Sequence, residues 1–143
     1  MKAVFIDRDG TMGGDYYVEF PDDYYHYDGT REAFELLNNN GFTPIIFTNQ
    51  SCIARGKDKG YDFAAEFRDI GAKYWYICPH DDKDNCNCRK PKTGLLEQAE
   101  KDGGVVPCDD LPKAFVLTAQ YGMQRVYLSA LSSRTLEKRI KEA

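Results

Sequence analysis

No apolar run in the 143-residue chain approaches the roughly 18 residues that a membrane span needs. Positive charge is not in excess either: 19 Lys and Arg stand against 23 Asp and Glu, for a formal net charge of −4 and a pI near 5.2. Non-specific binding to nucleic acid or to an anionic membrane surface needs a basic face, so both roles are disfavoured. Internal repeats, low-complexity tracts and linker-like stretches are missing, and with 42% apolar residues the chain is no disordered tail. Met1-Lys2-Ala3-Val4-Phe5-Ile6 reaches a carboxylate at Asp7 too early for a signal peptide. The expectation is one cytoplasmic, monomeric domain over residues 1–143, able to bury a core without disulfides. Cysteine, by contrast, is plentiful, with five residues at 52, 78, 86, 88 and 108. In a reducing compartment, three within eleven residues read as metal ligands before disulfides.

Short apolar runs alternate with helical periodicity. Ala3–Ile6, Ile45–Phe47 and Tyr74–Ile77 read as buried strands, and Ala114–Leu117 and Val126–Leu128 as two more. Ala33, Phe34, Leu36 and Leu37 mark one helix, stopped by three asparagines and Gly41. Phe63, Ala64, Phe67 and Ile70 mark a second, and Leu95, Leu96 and Ala99 a third with Thr93 as candidate N-cap. Ser133 is placed to cap a last helix carrying Leu136 and Ile140. Residues 13–28, rich in Tyr and Asp, have no period and read as a loop or flap. Strand–helix alternation predicts an α/β, Rossmann-like parallel sheet with helices on both faces, whose ligands bind beyond the carboxyl ends of the strands.

Those ends carry the chemistry. The first strand runs into Asp7-Arg8-Asp9-Gly10-Thr11, where two carboxylates two residues apart point the same way on an extended backbone and Gly10 permits a tight turn. Asp-Gly by itself suits any polar turn. The second strand ends in Thr48-Asn49-Gln50-Ser51, hydroxyls and amides suited to phosphate oxygens, and after the third come the cations of Arg89-Lys90-Pro91-Lys92. Carboxylates, hydroxyls and cations thus meet at one predicted edge.

Phe5-Ile6-Asp7-Arg8-Asp9-Gly10-Thr11, Thr48-Asn49-Gln50-Ser51 and Cys88-Arg89-Lys90-Pro91 resemble, in order, the first three motifs of the haloacid dehalogenase superfamily. More narrowly they resemble its heptose-bisphosphate and histidinol-phosphate phosphatases, which implies a phosphatase fold with no large cap domain. The resemblance implies that Asp7 is the nucleophile, forming an aspartyl-phosphate, and that Asp9 protonates the leaving alcohol and then takes a proton from water. It implies that Thr48 holds a phosphoryl oxygen, that Lys90 stabilises charge on the transferring group, and that Asp15, Asn49, Gln50, Ser51 and Arg89 contact substrate. A catalytic Mg²⁺ is implied on Asp7 and the backbone carbonyl of Asp9.

Cys78-Pro79-His80 and Cys86-Asn87-Cys88 bracket an acidic turn, residues 81–85. Four Cys and His ligands suit a closed, tetrahedral, structural Zn²⁺ in a small loop over residues 78–88. The same loop pattern occurs in the heptose-phosphatase branch. It ends directly before Arg89 and Lys90, so the ion is expected to clip two cations in place. Cys52, where that branch usually has glycine, reads as a small buried hydrophobe, and Cys108 has no evident role.

The fourth motif departs from the pattern. Where the family has two acids completing the Mg²⁺ site, the aligned positions are Ala119 and Met123, and after Val116 the only acids are Glu137 and Glu142. Fewer protein ligands to the metal, a non-catalytic phosphate- or partner-binding protein, and a truncation or frame change relative to the family each fit this departure. The expected activity is hydrolysis of a small phosphorylated metabolite, with a heptose bisphosphate first and histidinol phosphate second. A polynucleotide 3′-phosphatase is the rival within enzymes, disfavoured by the acidic charge and the zinc loop.

Overall fold

The computed structural model describes residues 2–14 and 18–102. Three parallel strands, β1 (Lys2–Ile6), β2 (Phe42–Asn49) and β3 (Tyr74–Cys78), form a sheet in the order β1-β2-β3. Ile6 pairs with Ile46 at one end of the β1–β2 ladder, and Asn49 with Cys78 at one end of the β2–β3 ladder. The crossovers run through α1 (Thr30–Asn39) and through α2 (Ser51–Ala54) with α3 (Phe63–Asp69), and α4 (Gly94–Lys101) follows β3.

The two-residue period of the strands sorts their side chains between two cores. Val4, Ile6, Ile46, Trp75 and Ile77 meet α1 through Phe34 and Leu37 and α3 through Phe63 and Phe67. Phe5, Ile45, Phe47, Tyr76 and Cys78 meet α4 through Leu95, Leu96 and Ala99. Helices therefore cover both faces among the described residues, and the strands need not alternate polar with apolar. That is the α/β architecture the alternation predicts.

Differences from the sequence-based reading have local causes. β2 is longer than the Ile45–Phe47 run and includes buried Pro44. The first β2–β3 pair is Ile45 with Tyr74, so a residue without an N–H at position 44 costs that ladder nothing. α2 has four residues and no period to betray it. Thr93 occupies the N-cap position of α4 but lies in the helical region, and its hydroxyl donates to Glu97 at 2.6 Å rather than capping the backbone. The asparagines closing α1 act chemically: the side-chain amides of Asn38 and Asn40 donate to the carbonyls of Phe34 and Leu36 at 2.9 and 2.8 Å. The strands expected at 114–117 and 126–128 and the helix after Ser133 lie outside the described residues, as do Asp15, Tyr16, Tyr17, Cys108, Ala119 and Met123. No helix among the described residues is long and apolar enough to cross a membrane.

Candidate active site

Because the strands are parallel, their carboxyl ends share one edge, and Asp7, Gln50 and the loop after Cys78 all start there. The turn after β1 is tight. Thr11 and Met12 N–H donate to the Arg8 carbonyl at 3.2 and 3.0 Å, and Gly10, with φ of +72°, donates to Gly13 O at 2.8 Å. A residue with a Cβ is strained in that left-handed conformation. Asp7 Oδ1 receives the Arg8 N–H at 2.8 Å and lies 2.7 Å from Lys90 Nζ. Lys90 comes from the loop after β3. Its ammonium also donates to the Phe47 carbonyl at 3.1 Å, and its backbone exchanges two hydrogen bonds with the Asn49 side chain, at 3.0 and 3.2 Å. Residues 41 positions apart are thereby locked together.

Asp9 sits deeper. One oxygen accepts from Arg8 Nη1 at 2.7 Å and the other from Gln50 Nε2 at 3.0 Å. The Gln50 amide also donates to Thr48 Oγ1 at 3.0 Å, and its own oxygen lies 3.6 Å from the buried Cys52 thiol. Burial pushes the Asp9 carboxyl above its ordinary value against the pull of Arg8, and the Asp7 charge adds to the rise. Asp9 therefore retains a proton more readily than a free aspartate.

Arg8 is wholly buried. Its Nε and Nη2 grip Glu66 of α3 at 2.7–3.1 Å, and Tyr24 lies flat against it with the ring centroid 3.4 Å from Cζ. Burial works against the guanidinium charge, but the hydrogen bonds and charge of Glu66 overcome it and hold Arg8 above its ordinary value. Tyr61 OH donates to Glu66 at 2.9 Å, and His26 Nε2 lies 3.4 Å from it. Sequence reasoning quoted Arg8 without a role and missed Glu66. The signal was present: Phe63, Glu66, Phe67 and Ile70 share the core-facing spacing of one helix, and a carboxylate at such a position demands a buried partner.

The second cluster lies after β3. The ligand atoms of Cys78, His80, Cys86 and Cys88 all fall within 4.8 Å of one another. The three sulfurs are 3.3–3.6 Å apart, and His80 Nδ1 is 3.2 Å from Cys88 and 3.7 Å from Cys78. Three sulfurs at about 2.3 Å and one nitrogen at about 2.0 Å from a tetrahedral Zn²⁺ stand about 3.5–3.8 Å apart, so the group fits such an ion. Arg89 follows directly. It pairs with Asp82 and donates to Ser51 Oγ at 2.8 Å and to the His80 carbonyl at 3.2 Å. Lys92 Nζ ties the Asn85 and Cys86 carbonyls at 3.1 and 2.7 Å, closing the loop on itself.

Of the residues expected at the site, the structure brings Asp7, Asp9, Thr48, Asn49, Gln50 and Lys90 into one bonded group, with Ser51 and Arg89 beside it. Asn49 and Gln50 spend their amides on Lys90 and Asp9. For Mg²⁺ the described residues offer the Asp7 carboxylate and the Asp9 carbonyl, hard oxygen donors of the kind that ion takes, and Mg²⁺ usually keeps several waters besides.

No family model matches the chain. A Thermoplasma volcanium protein, named a probable D-glycero-D-manno-heptose-1,7-bisphosphate 7-phosphatase, is 38% identical over 128 residues, covering 82% of this chain and 84% of that relative. The chain belongs to the heptose-bisphosphate phosphatases of the haloacid dehalogenase superfamily. These are phosphoric monoester hydrolases by name. The Haemophilus influenzae D-glycero-beta-D-manno-heptose-1,7-bisphosphate 7-phosphatase is 36% identical over 126 residues, 77% of this chain and 68% of that one. A D,D-heptose 1,7-bisphosphate phosphatase from B. bronchiseptica, crystallised with magnesium and phosphate, superposes with a TM-score of 0.64 at 29% identity. That superposition covers 73% of this chain and 65% of the other.

Proposed function

We propose that the chain is a Mg²⁺-dependent phosphomonoester hydrolase of small phosphorylated sugars, with a heptose bisphosphate as first substrate and histidinol phosphate as second. The observation that carries this is the pairing of two unlike carboxylates at one strand end. Asp7 faces the Lys90 ammonium at 2.7 Å, whereas Asp9 is held between Arg8 Nη1 and the Gln50 amide, and burial raises its carboxyl above the ordinary value. Two carboxylates with divergent environments suit a nucleophile and an acid.

On this reading an Asp7 oxygen attacks phosphorus, the bond from phosphorus to the sugar oxygen breaks, and the Asp9 proton goes to that oxygen. Water then attacks the aspartyl-phosphate, the bond from phosphorus to the Asp7 oxygen breaks, and Asp9 recovers a proton from the water. Lys90 balances charge on the transferring group, and the Thr48 hydroxyl holds one of its oxygens. Arg89, Ser51 and Asp15 contact the rest of the substrate. A Mg²⁺ held by Asp7 and the Asp9 carbonyl offsets the repulsion between an anionic nucleophile and an anionic phosphate when bound. Zn²⁺ in the Cys78, His80, Cys86 and Cys88 group is structural, with all four positions taken by protein.

The test is phosphate release from the heptose bisphosphate, histidinol phosphate and a 3′-phosphorylated oligonucleotide during a Mg²⁺ titration, beside Asp7→Asn. The expected result is release from the heptose substrate, abolished in Asp7→Asn while the fold persists. Turnover by Asp7→Asn removes the mechanism, and preference for the oligonucleotide removes the substrate class. A second reading, a phosphate-binding protein without catalysis, is favoured by Ala119 and Met123. It predicts phosphate binding without turnover in both the natural chain and Ala119→Asp. A strong gain of activity in Ala119→Asp instead identifies a weakened metal site.

A further inference from the structure

Arg8 carries a buried charge that the proposed chemistry does not itself use. A guanidinium taken out of water persists where its donors are matched, and here the match is lopsided. Nε and Nη2 go to Glu66, at 2.9 and 3.1 Å and at 2.7 Å, and Nη1 goes to Asp9 at 2.7 Å. Glu66 stands 58 residues away on another element and is braced by Tyr61 OH at 2.9 Å. Tyr24 lies against the guanidinium plane at 3.4 Å. A planar fork gripped along one edge and pressed on one face has a fixed direction for its remaining N–H groups. That direction ends at Asp9. The opposite oxygen of Asp9 takes the Gln50 amide at 3.0 Å, so the carboxylate cannot turn without breaking one of the two bonds.

We propose that Glu66 is a positioning residue for proton transfer: through Arg8 it sets the orientation of the Asp9 carboxylate. The inference rests on the function proposed above, in which Asp9 donates a proton to the leaving oxygen. A purely structural staple between α3 and the turn after β1 would have the same contacts, but the two roles differ in how leaving groups respond. An aryl oxide such as 4-nitrophenolate leaves with little help from an acid, whereas an alkyl oxide needs the proton.

The experiment is single-turnover phosphorylation of the Mg²⁺-loaded full chain by 4-nitrophenyl phosphate and by a sugar phosphate. Glu66→Gln, which keeps the side-chain size but offers Arg8 one oxygen instead of two, is expected to lose about tenfold more rate on the sugar phosphate than on the aryl phosphate, with KM changed by less than about twofold. Tyr61→Phe is expected to show the same split at about two- to threefold, and it decides the matter if Glu66→Gln fails to fold. Equal losses on both substrates overturn the proposal. If the natural chain turns over neither substrate, the proposed function fails, and crystals of the two variants then decide the positioning role separately. An Asp9 carboxylate swung away from Arg8 supports it, and an unmoved one overturns it.

Discussion

Two loops supply the opposed charges of the candidate site, and they are held by opposite means. The turn after β1 carries the carboxylates and is fixed from inside, by an Arg8 that water does not reach and a Glu66 from the covering helix α3. The loop after β3 carries the cations and is fixed from outside, by four soft ligands, half-exposed apart from Cys78, that could close on one ion. The Asp9 carboxylate finds its counter-charge in the buried Arg8. The cations sit on a loop that packs Cys86 and Cys88 against Phe47, Leu95 and Leu96, and a metal cross-link among its four ligands would fix that loop further. Where the two loops meet, Lys90 Nζ lies 2.7 Å from Asp7.

The sharpest way to break this comparison is Arg8→Met. It leaves Glu66 buried without its partner and should lower the unfolding free energy by about 3–5 kcal/mol in a urea titration. A loss under about 1 kcal/mol would mean that the interior lattice does not hold the first loop. Next, stripping the Cys/His group with a chelator and restoring Mg²⁺ should cut activity about a hundredfold through misplacement of Lys90, with a smaller fall in melting temperature than Arg8→Met gives. Zn²⁺ should restore both, and a stripped protein with full activity and an unchanged melting temperature would separate the cluster from the site.

Acid should distinguish the loops further. Although burial opposes it, the His26 ring nitrogen 3.4 Å away and the hydrogen bonds and charge of Arg8 hold the Glu66 carboxyl below its ordinary 4.5. The stability it contributes is therefore present above pH 4.5 and is lost as pH falls through the lower folded value. Below pH 4.5 the unfolding free energy of Glu66→Gln should fall less steeply than that of the natural chain, and equal slopes would contradict the assignment. The smallest effect is expected at the seam. Asn49→Ala removes the two hydrogen bonds to the Lys90 backbone and should cost about 1–2 kcal/mol, with KM rising more than stability falls.

How much of this was legible in the chain depends on distance along it. Strand ends, helix stops and the four Cys/His ligands are local patterns, each written within a dozen residues, and among the described residues the structure assembles them as the patterns predict. The lattice under Asp9 is not local: Arg8 and Glu66 mean little until a crossover through α3 brings them together. Tyr24 shows the same limit. In the sequence it is one of many tyrosines in an aperiodic stretch, and its stacking on Arg8 is decided by where the returning chain lands. The amides of Asn49 and Gln50 read in the sequence as polar groups at a strand end, but their bonds to Lys90 and Asp9 depend on loops 41 residues away.

Gly94 opens α4 with its N–H on the Asn87 carbonyl at 3.1 Å, and a Cβ there would come within 2.4 Å of that oxygen. The helix that covers one face of the sheet thus begins in direct contact with the loop that could hold an ion. The ligand loop, this position and the Leu95–Leu96 packing are mechanically joined: a change in the span between Cys86 and Cys88 is felt at the start of the helix, and a side chain at 94 is felt beside the ligand Cys88.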